Sequence, residues 1–242
     1  MLNILTTLLW KMFFVILMLA TLLVLPLLLL AKPFLRKKAY RRLVNMVAAL
    51  WGRITVSSTG TKISFEGREL IPNGENICFI GNHQSLFDIP SFVGWIGRPV
   101  GFIAKKELFR IPVLSQWMSQ LPCMFIDRGD ARQAMRSFQR SAKIIREGFP
   151  LAIFPEGGRS GGPDMRPFRI GSLKLATMAG ATIVPFAIDG TWRIMGTDSK
   201  IHGARVKIRI LTPIKPDNPL YRDKNALADH IRDLIQANLG LH

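Results

Sequence analysis

Acidic residues are scarce in this 242-residue chain, and none occurs before Glu66. Asp and Glu total 16 against 33 Lys and Arg, a formal net charge of +17. So basic a balance predicts an anionic partner: a membrane surface, nucleic acid or a phosphorylated substrate. Aromatic residues rarely interleave with the basic ones, so no nucleic-acid partner is expected. Cysteine is also rare. Cys78 and Cys123 stand alone, each inside an apolar run. That excludes a disulfide framework and a cysteine zinc site, and it fits a reducing compartment with two small buried hydrophobes. Beyond His83, the histidines His202, His230 and His242 fall at no metal-ligand spacing, so no metal is expected. No internal repeat or low-complexity segment occurs apart from one Leu-rich run.

That run is Met12–Ala31, twenty residues without a charge. As a helix it measures about 30 Å, the hydrocarbon thickness of a bilayer. Pro26 is tolerated in lipid-embedded helices. The run is too long for a signal-peptide core, and Lys32-Pro33-Phe34-Leu35-Arg36-Lys37-Lys38 follows it in place of a cleavage site. These cations place that side on the cytoplasmic face of the cell (inner) membrane and suit anionic lipid headgroups. Residues 34–57 predict a second helix, with Leu43, Val47, Leu50, Trp51 and Ile54 at helical spacing. It lies either at the membrane interface or on the soluble core. Met12–Ala31 is either a full span or half of a hairpin within one leaflet. Residues 1–57 are thus expected to be a membrane-binding unit and residues 58–242 the catalytic domain.

After Gly60 short apolar runs alternate with helical stretches. Strands are predicted at Lys62–Phe65, Ile77–Ile80, Val100–Ala104, Cys123–Ile126, Leu151–Phe154, Ile183–Ile188 and Val206–Leu211. Helices are predicted at Leu86–Ile96, Pro112–Gln120, Ala131–Glu147, Gly171–Ala179 and Asp223–Leu239. The middle strands are almost wholly apolar, as strands covered on both faces are. The pattern predicts an α/β fold: a largely parallel central sheet flanked by helices, behind an N-terminal two-helix membrane-binding motif. Polar clusters follow the strands: Asn82, His83 and Asp88; Lys105, Lys106 and Glu107; Asp127 and Arg128; then Glu156 to Arg159. Strand carboxyl ends are where open α/β sheets build their sites.

On an ideal helix His83 and Asp88 would lie about 140° apart. They meet only if His83 precedes the helix and Asp88 opens it. An Asp on one imidazole nitrogen fixes the tautomer and leaves the other free to take a proton. The competing reading is a capping histidine beside a helix-start Asp. Gly158-Arg159-Ser160-Gly161-Gly162 matches G-x-S-x-G, but an elbow sits directly between strand and helix. Pro155 to Arg159 separate Ser160 from its strand. A substrate hydroxyl is therefore the expected nucleophile. Lys105, Arg128 and Arg159 offer cations for a phosphate, and Gly157 and Gly158 let backbone amides approach it.

Together these motifs resemble the 1-acyl-sn-glycerol-3-phosphate acyltransferases of the glycerolipid acyltransferase superfamily. Asn82-His83-x4-Asp88 resembles the first block of the family. Lys105-Lys106-Glu107-Leu108 with Phe125-Ile126-Asp127-Arg128 resembles the second, Phe154 to Ser160 the third and Ile183-Val184-Pro185-Phe186 the fourth. Two positions depart: Gly158 stands where Thr is usual, and Phe168-Arg169 where Phe-Lys is usual. The resemblance implies a glycerol-3-phosphate acyltransferase-like fold. It implies that His83, oriented by Asp88, activates the sn-2 hydroxyl of lysophosphatidic acid against acyl-CoA or acyl-carrier protein, giving phosphatidic acid. Arg128, Glu156, Gly157, Gly158 and Arg159, with Lys105, would hold the glycerol 3-phosphate. No cofactor is expected beyond the acyl donor. Another lysolipid acceptor, such as a lyso-ornithine lipid, and a membrane hydrolase using Ser160 are the alternatives.

Overall fold

The computed structural model describes residues 2–74, 76–127, 129–196 and 198–240. In chain order these form α1 (Leu2–Ala31), α2 (Lys37–Ser57), β1 (Lys62–Glu66), β2 (Ile77–Gly81), α3 (Asp88–Trp95), β3 (Gly101–Lys105) and α4 (Leu114–Gln120). Then come β4 (Met124–Ile126), α5 (Ala131–Arg146), β5 (Leu151–Ile153), α6 (Lys174–Ala179), β6 (Thr182–Asp189), β7 (Arg205–Ile210) and α7 (Lys224–Gln236). The sheet order is β1-β7-β6-β2-β5-β3-β4. Among the pairings of these strands in the described residues, only β6–β7 is antiparallel. β2 to β6 therefore run the same way, and their carboxyl ends share one edge. The largely parallel sheet predicted from the alternation is present.

Strand alternation divides the core into two layers. Ile77 and Phe79 of β2 join Val184, Phe186 and Ile188 of β6 on one face, under α2 and α3. Cys78 and Ile80 join Ile183 and Ala187 on the other, under α5, α6 and α7. The first layer is aromatic: the Phe92 and Phe186 rings stack at 4.3 Å, and Phe79 meets both edge-on. The second is aliphatic and shuts away the Cys78 thiol, whose pKa burial pushes up to about 12. Asp130 and Asp223 cap α5 and α7 by accepting from two backbone amides each.

Helix α1 starts ten residues before the charge-free run. Thr6, Thr7 and Lys11 interrupt the apolar composition there but leave helix formation unopposed. The helix is long and apolar enough to cross a membrane. It nevertheless lies along the domain and is moored at four places. Thr7 Oγ1 accepts from the Ile201 amide at 3.0 Å. Trp10 donates to Ser58 Oγ at 2.9 Å, and its ring meets Phe87. Thr21 Oγ1 accepts from the Trp117 indole at 2.8 Å. Leu28 packs with Tyr40 and Val44. These anchors recur at helical spacing on one face. The opposite face, including Leu8, Met12, Leu19, Leu23 and Leu30, is bare.

Helix α2 buries a face other than its largest apolar stripe. Leu43 and Val47 pack toward α1, while Leu50 is exposed. The most buried residues are Tyr40, Val44, Asn45, Ala48, Gly52, Thr55 and Val56. Small size matters more than hydrophobicity here, because α2 and α3 cross at backbone contact. A Cβ on Gly52 would stand 2.5 Å from the Pro90 carbonyl oxygen. Replacing Gly52 by Val should therefore destabilise the fold by about 2 kcal/mol through overpacking. Denaturant unfolding in detergent measures this, and an unchanged midpoint would show that the helices separate freely.

Candidate active site

The shared edge of β2, β5 and β6 assembles the first and fourth polar clusters. Beyond Gly81, the Asn82 side chain continues the sheet: its Nδ2 donates to the Ile188 carbonyl and its Oδ1 accepts from the Ile188 amide, both at 2.8 Å. His83 follows in irregular chain, and Asp88 is the first residue of α3. The two side chains meet, with His83 Nδ1 2.5 Å from Asp88 Oδ2. Asp88 Oδ2 also accepts from the amides of Gln84 at 2.7 Å and Ser85 at 3.0 Å. Asp88 Oδ1 accepts from the Thr191 hydroxyl. The carboxylate is wholly buried, so each of these donors offsets lost hydration.

The hydrogen-bond pattern assigns the imidazole tautomer. Asp88 already receives three other donors and acts only as an acceptor. The proton between the two groups belongs on Nδ1, which leaves the lone pair of Nε2 free. The ring is held flat against Phe154, with centroids 4.3 Å apart. Its side chain keeps 18% of its surface open.

The turn after β5 is locked to this pair. Glu156 Oε1 accepts from the His83 amide at 2.6 Å, and its Oε2 from the Arg166 amide at 2.8 Å. Burial raises its pKa above the usual carboxylate range, against the pull of those two amides. Both oxygens are thus engaged by backbone, and Glu156 acts as a strut. Gly157 has φ +70°, which favours glycine. Ser160 donates its amide to the His83 carbonyl at 2.7 Å, and Gly161 to that of Gln84 at 3.0 Å. Arg159, Gln84, Ser85, Phe87, Trp192 and Met195 line a cavity of about 270 Å³.

The remaining candidates lie further along the edge. Lys105 ends β3 and is exposed. Lys106 pairs with Asp127 across the ends of β3 and β4, and this holds the Asp127 carboxyl below its usual range. Arg128 lies outside the described residues. Ser160 sits in irregular chain with its hydroxyl on the Gly162 carbonyl at 2.9 Å, not at a strand-to-helix elbow.

Residues 62–189 match the family model described as Acyltransferase. The chain belongs to the acyltransferase family. It is 32% identical over 216 residues to a probable 1-acyl-sn-glycerol-3-phosphate acyltransferase of Mycoplasma genitalium, covering 84% of this chain and 77% of that one. It is 29% identical over 203 residues to the chloroplastic 1-acyl-sn-glycerol-3-phosphate acyltransferase BAT2 of Brassica napus, covering 83% of this chain. It spans 57% of that relative's length, and 49% and 56% of two other curated relatives, about half the length of each. The crystal structure of the 1-acyl-sn-glycerophosphate acyltransferase PlsC from Thermotoga maritima has the same fold. Its TM-score is 0.83 at 24% identity, over 98% of this chain and 95% of that one.

Two residues of this site were not singled out from the sequence. Thr191 follows β6 in Asp189-Gly190-Thr191, a polar cluster at a strand carboxyl end like those already singled out. Gln84 Oε1 accepts from the Gly190 amide at 3.0 Å, stitching that loop to His83. Thr191→Val removes one of Asp88's donors inside a buried site. It should lower the rate of acyl transfer about tenfold and stability by about 1–2 kcal/mol. Steady-state kinetics beside thermal melts check this, and a fully active, fully stable variant would dismiss Thr191.

Proposed function

We propose that the protein transfers a fatty acyl group from acyl-CoA or acyl-carrier protein to the sn-2 hydroxyl of lysophosphatidic acid, yielding phosphatidic acid. The observation that carries this reading is the His83–Asp88 pair: its free Nε2 lies on the same short stretch of backbone that holds the arginine-bearing turn. The names borne by the Mycoplasma genitalium and Brassica napus relatives support the same acceptor.

In this mechanism Nε2 takes the sn-2 hydroxyl proton as the oxygen attacks the thioester carbonyl carbon. The tetrahedral oxyanion collapses, the carbon–sulfur bond breaks, and the imidazolium returns its proton to the departing thiolate. Asp88 holds the tautomer and stabilises the transient cation. The thioester is already activated, so the reaction draws on no further cofactor. Arg159 and the amides around Gly157 and Gly158 hold the phosphate, with Lys105 and Arg128 assigned to it by their motif. The Ser160 hydroxyl donates to the Gly162 carbonyl and not to a base, which disfavours the hydrolase. A different lysolipid remains the second reading, because Gly158 departs from the usual Thr.

Both acceptor and product are lipids, so the site works at a membrane. We assign the bare face of α1 to the anionic inner leaflet, on the cytoplasmic side, with the helix lying in that leaflet. A helix moored along its length to the domain presents one apolar face, as interfacial helices do. Residues 1–57 then form the membrane-binding unit and 58–242 the catalytic domain, with α2 packed on α3 between them.

The experiment supplies purified protein with labelled acyl-CoA or acyl-carrier protein and a panel of lysolipids in vesicles. Phosphatidic acid should form from lysophosphatidic acid, and His83→Ala should lower the rate by about 10²–10⁴-fold. An active His83→Ala protein alongside a dead Ser160→Ala protein would overturn the mechanism. Preference for another lysolipid would overturn the acceptor.

A further inference from the structure

The turn after β5 gathers three arginines around two glycines. A Cβ built on Gly158 would stand 2.7 Å from Arg166 Nη1, so the Arg166 guanidinium occupies the space of a side chain at that position. A Cβ on Gly157 would likewise stand 2.6 Å from Arg169 Nε. Arg166 Nη1 also reaches toward the Arg159 carbonyl at 3.5 Å. The main chain of Arg166 is fixed, because its amide donates to the buried Glu156. Through Glu156 and Ser160 the whole turn is tied to the backbone of His83.

The charges in this cluster are not neutralised from within. Arg159, Arg166 and Arg169 are all exposed. Among the described residues no ion pair joins any of them to a carboxylate. Glu156 spends both oxygens on backbone amides. Like charges crowded on one turn repel each other and concentrate a positive potential there, which an anion relieves. A phosphate monoester matches that field, since two guanidiniums can each offer it paired N–H donors.

We propose that Arg166 is a second grip on the acceptor's phosphate beside Arg159, seated in the space that residue 158 leaves empty. This rests on the turn being the phosphate subsite. The glycine at 158 is then no simple loss of a hydroxyl. It makes room for a cation eight residues further along the chain, and it tunes the site toward acceptors bearing a phosphate monoester.

Gly158 gives a clean handle on this seat. Its φ is not in the left-handed region, so the backbone admits a side chain, and only the flexible tip of Arg166 must move. The experiment measures acyl transfer to lysophosphatidic acid in mixed micelles by the full chain, at saturating acyl donor. It compares wild type, Arg159→Ala, Arg166→Ala, Gly158→Thr and the Arg166→Ala/Gly158→Thr double variant, with inorganic phosphate as a competing probe. Thermal melts check that each variant folds. Arg166→Ala and Gly158→Thr should each raise KM for the acceptor roughly tenfold, with a much smaller change in kcat. Inhibition by phosphate should weaken by a similar factor. The double variant should be no worse than either single one, because both remove the same contact. Unchanged KM and phosphate inhibition in Arg166→Ala, with a raised KM in Arg159→Ala, would remove Arg166 and leave the subsite standing. Unchanged values in both would remove the subsite and Arg166 together. Additive effects in the double variant would overturn the shared seat.

Discussion

Everything in this site depends on one buried carboxylate. Asp88 collects His83, two backbone amides and the Thr191 hydroxyl. Those partners come from the end of β2, the approach to α3 and the loop after β6. An ionised group without water is tolerable only when such donors surround it. The carboxylate therefore fixes the relative positions of three elements while it orients one imidazole. Organisation of the fold and orientation of the imidazole are the same set of hydrogen bonds. Asn82 and Gln84 continue the pattern by tying the β2 end to Ile188 and Gly190.

The sheet supplies the rest through its polarity. Five strands point their carboxyl ends to one edge, so residues distant in sequence arrive there without long connections. The two layers covering the sheet differ in character. The aromatic layer carries α2 and α3 and supports the ring of His83 through Phe154. The aliphatic layer holds α5, α6 and α7 and stays away from the chemistry. Helix α1 joins the aromatic side, where Trp10 touches Phe87 on the cavity wall.

Much of this was legible in the sequence. All seven strands fall where apolar runs placed them, to within two residues. Such runs are unambiguous when both faces are buried, because no polar residue interrupts them. His83 and Asp88 were visible because a five-residue spacing bridges a turn and a helix start. Three features were harder to read. Where α2 crosses α3 its buried face is made of small residues, Ala48, Gly52 and Thr55, and a backbone-to-backbone crossing leaves no hydrophobic stripe in the sequence. Arg166 resembles any surface arginine, since its place is set by Glu156 and by the missing side chain at 158. Non-local hydrogen bonds of this kind have no period. Thr191 belongs with them: it reaches Asp88 across a separation of 103 residues.

The mooring of α1 has a kinetic consequence. On the proposed reading, the helix that meets lipid also leans on Phe87 and Ile201, beside the cavity. A catalyst fastened this way explores a plane instead of a volume. The proposed lipid acceptor would then arrive by lateral diffusion, and its product would depart by the same route. The quantity that governs turnover is then the mole fraction of lysolipid in the surface. Added inert lipid should slow the enzyme even when the bulk concentration of substrate is held constant, just as a wider floor thins a fixed crowd.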